Sequence, residues 1–220
     1  MAKESSPSNQ FSRRELLRNA GLVVGATVVP GVRGLTPEAE ALAFAAARQG
    51  EDLPQTLNDA EFRTLDAACS RLIPTDENGP GAREARAVRY IDRALGGGLS
   101  AVRDQYTQGL AGLNQYAEAS RGAAFADLTE SDQDGVLAEV QAGDAPGIPP
   151  DFFSNLRNHT IQGTFSDPFY GGNEGFVGWD MIGYPGVRVA VPAQFQQMDA
   201  EHPPNHVSVY DSPMFEPGED

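Results

Sequence analysis

The 220-residue chain is 40% hydrophobic and 21% charged, ordinary proportions for a globular protein, yet its formal net charge is −15. That acidity argues against nucleic-acid binding, which depends on Lys and Arg neutralising phosphates. The single cysteine, Cys69, excludes an internal disulfide, a four-thiolate zinc site and a cysteine-held iron–sulfur cluster, and the absence of C-x-x-C-H excludes covalent c-type haem from this chain.

The charge is unevenly spread. Residues 1–34 carry five basic and two acidic side chains, whereas the remainder carries 11 basic and 29 acidic ones. The basic start contains a paired arginine, Arg13-Arg14, followed by Leu16 and Leu17 and then a short glycine-interrupted apolar stretch from Ala20 to Val32. That stretch is too short to span roughly 30 Å of hydrocarbon comfortably. A basic segment before a short apolar one is the layout of an export signal, and the arginine pair points to the twin-arginine route. The chain is thus expected to be exported to the periplasm or the outer face of the cytoplasmic membrane, with residues 1–34 as signal and 35–55 as linker. A helical body over 56–200 and a mobile tail over 201–220 complete the expected organisation.

Within the body, Leu57, Phe62, Leu65, Cys69, Leu72 and Ile73 fall at helical spacing, with Asn58 as a candidate cap and Pro74 as the stop. Cys69 reads as a small core residue. "TDENGPGA" is a loop. "REARAVRYIDRALGG" places Tyr90, Ile91, Ala94 and Leu95 on one face and arginines 83, 86, 89 and 93 largely on the other. Val102, Tyr106, Leu110, Leu113 and Tyr116 continue the pattern. Thr129 with Asp132 resembles a capping box, and Gly143 suits the end of the helix it opens. "PPDFFSNLRNHTIQGTF" begins with proline where a first helical turn tolerates it, and Phe152, Phe153, Leu156, His159 and Thr160 share a side. No sustained alternation of period two occurs. The expected fold is mainly α: a small helical domain followed by a long, ordered loop region rich in Gly, Pro and aromatic residues.

That loop region opens with "FSDPFYGGNEGFVGWDMIGYPG", residues 165–186, which contains no basic residue. Its glycines do not match Gly-x-Gly-x-x-Gly, and neither a strand before it nor a helix after it is placed to bind phosphate. "GGGLSA" at 96–101 matches Gly-x-Gly-x-x-Ala but follows a helix, so it reads as a turn. Lys3 is the sole lysine, which excludes the lysine-bearing P-loop motif. His202 and His206 are spaced i, i+4, but Pro203 and Pro204 between them forbid the helix that would align them on zinc. What remains is backbone geometry and aromatic area. Phe165, Phe169, Tyr170, Phe176, Trp179 and Tyr184 bury large surfaces only when covered, either by the chain's own helices or by a partner protein.

The run "FFSNLRNHTIQGTFSDPFYGGNEGFVGWDMIGYPG", with "FRTLDAACSRLIPTDENGPGAREARAVRYIDRAL" and "FADLTESDQDGVLAEV" before it, resembles the gluconate 2-dehydrogenase subunit 3 family. The resemblance implies a small, non-catalytic, cofactor-free subunit of a sugar or sugar-acid dehydrogenase. Its partner would be a large FAD-containing subunit of the glucose–methanol–choline type, joined in some complexes by a multihaem cytochrome c. Export through the twin-arginine translocase would then carry the folded pair. On this reading Phe153, His159, Phe165, Tyr170, Gly171, Gly172, Asn173, Trp179, Tyr184 and Pro185 form the partner interface. The contrasting expectation is a stand-alone exported enzyme or ligand-binding protein with a site built from His159, Asp167, Asn173 and Trp179.

Overall fold

The computed structural model describes residues 53–211 except Val189, so the expected signal and most of the expected linker lie outside the described residues. All the elements described belong to the unit formed by residues 54–220. Among the described residues there are helices and turns but no named strand.

Helix α1, Asp59–Leu72, starts where a capping box satisfies its free amides. The Glu61 N–H donates to Asn58 Oδ1, and Glu61 Oε2 accepts from the Asn58 N–H, both at 2.9 Å. It buries Thr64, Leu65, Ala67, Ala68 and Cys69, and ends at Leu72, two residues before Pro74. Cys69 is indeed internal, and burial pushes its thiol pKa up to about 12.

Helix α2 spans Ala87–Leu95, four residues shorter at its start than the arginine pattern suggests. Gly81 and Ala82 dock on the end of α1, where the Ala82 N–H donates to the Ile73 carbonyl at 2.8 Å. The chain then turns tightly, and Arg86 takes a left-handed φ of 54° that bars a continuous helix. Asp92, on the inward face of α2, accepts N–H bonds from Gln55, Thr56 and Leu57 at 2.7 to 3.0 Å. Three backbone donors compensate the burial of this carboxylate and tie the segment before α1 to α2.

Helix α3, Arg103–Arg121, ends on Gly122 at φ 85°, and α4, Glu130–Ala142, ends on Gly143 at φ 83°. Thr129 caps α4: the Asp132 N–H donates to its hydroxyl oxygen at 3.3 Å, and the hydroxyl donates to the Asp132 carboxylate at 2.7 Å. Helix α5, Phe152–Phe165, follows Pro149 and Pro150, which stand before the helix. Leu65, Ile91, Leu95, Tyr106, Leu113, Phe125, Phe152 and Leu156, all fully buried, form the centre of the bundle. Two close approaches need glycine. A side chain at Gly109 would overlap the Phe152 ring, and a Cβ at Gly163 would lie 2.8 Å from the Ala87 carbonyl. The second contact lets α5 lie directly on α2. At the rim, Arg71 of α1 forks onto Asp134 of α4 with N···O distances of 2.7 and 2.8 Å.

After α5 the chain does not trail away. Residues 165–188 fold back on the end of α5 through a 3-10 turn at Pro168–Tyr170, another at Glu174–Phe176 and the short helix α6, Val177–Met181. Residues 203–211, expected to lie in a mobile tail, are held against that loop. Ser208 is buried, its hydroxyl donates to Asp167 Oδ1 at 2.6 Å, and the Val209 N–H donates to Asp167 Oδ2 at 2.9 Å. A Gly/Pro-rich terminal stretch suggested a tail; its anchorage comes from contacts distant in sequence, above all one carboxylate 41 residues earlier.

Candidate functional site

Hydrogen bonds within the 165–188 loop and to the end of α5 hold it in place. Asn173 is fully buried with a φ of 47°, a conformation asparagine tolerates better than most residues. Its Nδ2 donates to the Ser166 carbonyl at 2.8 Å, its Oδ1 accepts from the Gly178 N–H at 2.7 Å, and its own N–H donates to the Gly163 carbonyl at 2.8 Å. One residue, through its side chain and its backbone N–H, therefore pins the loop to both itself and α5. Gly172 and Gly178 sit so close to the carbonyls of Gly163 and Thr164 that any Cβ would collide with them. Trp179 is only 4% exposed, and its indole N–H donates to the Phe165 carbonyl at 2.9 Å. Tyr184 meets it edge-on, with ring centroids 4.9 Å apart.

These positions correct the expectation for several residues. Trp179, Asn173, Gly172 and His159 were read as partner contacts, but their side chains or backbones are buried inside this fold. Phe153 and Phe165 are half-buried, and Phe153 packs against the bundle core. His159 lies in α5 with Nδ1 at 2.8 Å from the Tyr106 hydroxyl, the rings stacked at 21°. Desolvation lowers its pKa from the usual histidine value, so the neutral ring is favoured. The four residues of the contrasting expectation do not converge. Asp167 and Trp179 line one open depression of about 360 Å³, whereas His159 and Asn173 do not line it.

What the loop does present is an apolar crest. Ile182 is 59% exposed, Tyr184 38% and Met181 38%, on and just after α6. Phe169 and Tyr170 on the 3-10 turn are 52% and 46% exposed. Gly171 at φ 96° closes that turn, and half-buried Pro185 gives its carbonyl to the Asn205 N–H at 3.1 Å. Tyr170, Gly171, Tyr184 and Pro185 are thus the expected interface residues that reach or border the surface. Ile182, Met181 and Phe169 are exposed as well; Phe169 was read only as an aromatic that needs cover, and Ile182 and Met181 were not singled out. The signal for them was present, since each is a large apolar residue within two positions of a glycine or proline turn. Large exposed apolar residues grouped on a preorganised support are the kind of surface that marks a protein–protein contact.

A family model, gluconate 2-dehydrogenase subunit 3, matches residues 59–186, which run from the first residue of α1 to the end of the crest. The chain belongs to the gluconate 2-dehydrogenase subunit 3 family. No curated protein and no solved structure matches the chain. The family is that of a small accessory subunit of a dehydrogenase complex. Its match covers the bundle and the folded-back loop together, so the crest and its internal supports lie within the subunit 3 homology. Among the described residues of this subunit 3 chain, no group of His, Cys, Asp and Glu side chains is arranged to hold a metal ion. No helix among them is long and apolar enough to cross a membrane.

Proposed function

We propose that this chain is the non-catalytic small subunit of a flavin-dependent dehydrogenase of the glucose–methanol–choline type that oxidises gluconate, glucose or a related sugar. It binds the FAD-carrying large subunit, stabilises it and carries it through the twin-arginine route by the signal at Arg13 and Arg14. In some complexes of this kind a multihaem cytochrome c takes the electrons onward. The observation that carries the reading is the division of labour within residues 165–188. Asn173 and Asp167 are committed to holding the loop and the segment that returns to it, while Phe169, Tyr170 and Ile182 stand outward.

A carrier needs only sufficient affinity. At about 1 μM partner, a Kd near ~10 nM, about −11 kcal/mol, keeps nearly all the partner bound. An interface of roughly 1,600 Å² with a few aromatic and aliphatic anchors suffices for that. Deleting the gene tests the reading. Dehydrogenase protein should then remain in the cytoplasm, depleted, with dye-linked sugar oxidation lost from the cell envelope. Supplying the chain without residues 1–34 should restore the partner's solubility but not its export. Full export of the flavin subunit in the deletion strain would refute the carrier role.

A further inference from the structure

The crest is not only convex. Beside it lies the open depression of about 360 Å³ that Asp167 and Trp179 border, and Ile182 and Tyr184 of the crest form part of its wall. Phe165 and Val187 extend the apolar and aromatic lining. A surface that covers Ile182 and Tyr184 also closes over the space they wall.

Among the described residues, Asp167 is the one charged group in that lining. Its Oδ1 accepts from the Ser208 hydroxyl and the Phe169 N–H, at 2.6 and 3.0 Å, and its Oδ2 accepts from the Val209 N–H at 2.9 Å. None of these donors brings a positive charge. A carboxylate offers about four lone-pair sites, so Oδ2 has room for a further donor. Arg188, next to Val187, is directed elsewhere: its Nη2 donates to the Pro203 carbonyl at 2.6 Å, and its guanidinium lies 4.9 Å from the centre of the Phe195 ring. The loop that carries the crest has charge of one sign, since residues 165–186 hold Asp167, Glu174 and Asp180 and no lysine or arginine. Asp180 has His206 Nε2 beside it at 2.8 Å, whereas Asp167 has neutral donors.

A partner that closes the depression strips water from Asp167, and a buried carboxylate is costly unless a positive group replaces that water. Aliphatic and aromatic walls around one carboxylate suit arginine. Its stem packs on apolar surface, its planar guanidinium stacks on ring faces, and it is more weakly hydrated than an ammonium. We propose that the depression receives an arginine of the large dehydrogenase subunit, its stem against Trp179, Ile182 and Tyr184 and its guanidinium at Asp167. This contact rests on the reading of the crest as the face that holds that subunit. Charge complementarity and continuity with the crest select arginine over a purely apolar side chain. Asp167 then has two tasks: inside the fold it holds residues 208 and 209, and at the interface it selects a basic partner.

Binding of the purified chain to its flavin subunit, measured at about 50 and about 500 mM salt, tests it. Asp167→Asn keeps an oxygen acceptor and removes the charge. Its affinity should fall at least about tenfold at the lower salt, with the gap to wild type narrowing to about threefold at the higher. Because Asp167 also anchors residues 208 and 209, a second pair of variants leaves it in place. Val187 is half-buried in the wall, and Val187→Glu and Val187→Arg disturb that wall alike but differ in charge. At the lower salt the glutamate variant should bind at least about tenfold more tightly than the arginine variant, whereas Glu118→Arg on α3, outside the depression, should change affinity less than about threefold. Equal affinities for the two Val187 variants, or an Asp167→Asn gap that does not narrow with salt, would overturn the arginine; loss of binding in Ile182→Glu would still support the crest as the partner face. A folded wild-type chain that binds no flavin subunit would overturn both.

Discussion

The Tyr106 hydroxyl and His159 Nδ1 lie 2.8 Å apart inside the bundle, joining α3 to α5 through a buried polar contact. The neighbouring Thr160 hydroxyl reaches both the Leu156 carbonyl and Cys69 Sγ, at 2.7 and 3.3 Å. This pairing gives α5 a fixed rotation about its axis, and α5 in turn supports the whole folded-back loop.

Burial lowers the folded-state pKa of His159 below its usual value near 6.5. The unfolded chain therefore takes up that proton more readily than the folded one. Above about pH 6.5 the group is neutral in both states and contributes no pH dependence. As pH falls below 6.5 toward the folded-state pKa, the unfolded state binds more protons and stability declines. Tyr106→Phe with His159→Leu replaces both partners without orphaning either one. Thermal melts between pH 7 and pH 5 should show a shallower loss of Tm for the double variant; identical slopes would remove His159 from the account.

Asn173→Ala deletes two buried hydrogen bonds and leaves a left-handed backbone on a residue that resists it. The expected cost is roughly 2–4 kcal/mol, from the orphaned Gly178 N–H and Ser166 carbonyl plus the backbone strain. Urea titration followed by near-ultraviolet circular dichroism of Trp179 should show it. A cost under about 1 kcal/mol would mean that the loop does not depend on this pin.

Trp179 and Ile182 stand three residues apart and should respond oppositely. Trp179→Ala empties a buried indole site and should destabilise the fold by roughly 3–5 kcal/mol. Ile182→Ala should change stability little, within about 1 kcal/mol, because the residue is 59% exposed. Partner affinity should respond in the reverse sense, falling by about 2 kcal/mol, or roughly 30-fold, for a crest residue that anchors the large subunit.

The helices were readable because their signals are local. Asn58 with Glu61, Thr129 with Asp132, and Gly143 each act within one turn, and the apolar stripes repeat at helical spacing. What was not readable is what depends on contacts distant in sequence. Asp92 looks like a surface residue of an arginine-rich helix until residues 55–57 bring it three amides. Asp167 looks like a turn former until residues 208 and 209 return to it. The aromatic loop was legible as a partner surface or an internal pack, and its residues divide between buried and exposed. Trp179 turns inward, its ring buried and its N–H donating to the Phe165 carbonyl, whereas Ile182 is left 59% exposed.

Asp167 offers a separable test of the returning segment. Asp167→Ala removes both acceptors that hold residues 208 and 209, together with the cap of the Pro168–Tyr170 turn. Limited proteolysis should then cut between residues 203 and 211 at least about tenfold faster while the helical signal persists. Unchanged cleavage would mean that the remaining contacts, the stacking of Tyr210 on Phe169 and the bonds at Pro203, Asn205 and His206, suffice without Asp167.

The central claim, that the Ile182–Tyr184 crest holds a flavin-dependent dehydrogenase subunit, is tested most directly by affinity purification of the tagged chain from cells that make the complex. The wild-type chain should retain a flavoprotein in equal stoichiometry, and Ile182→Glu should lose most of it while keeping a melting temperature close to wild type. Recovery of a folded wild-type chain with no flavoprotein, or full retention by the crest variant, would contradict it.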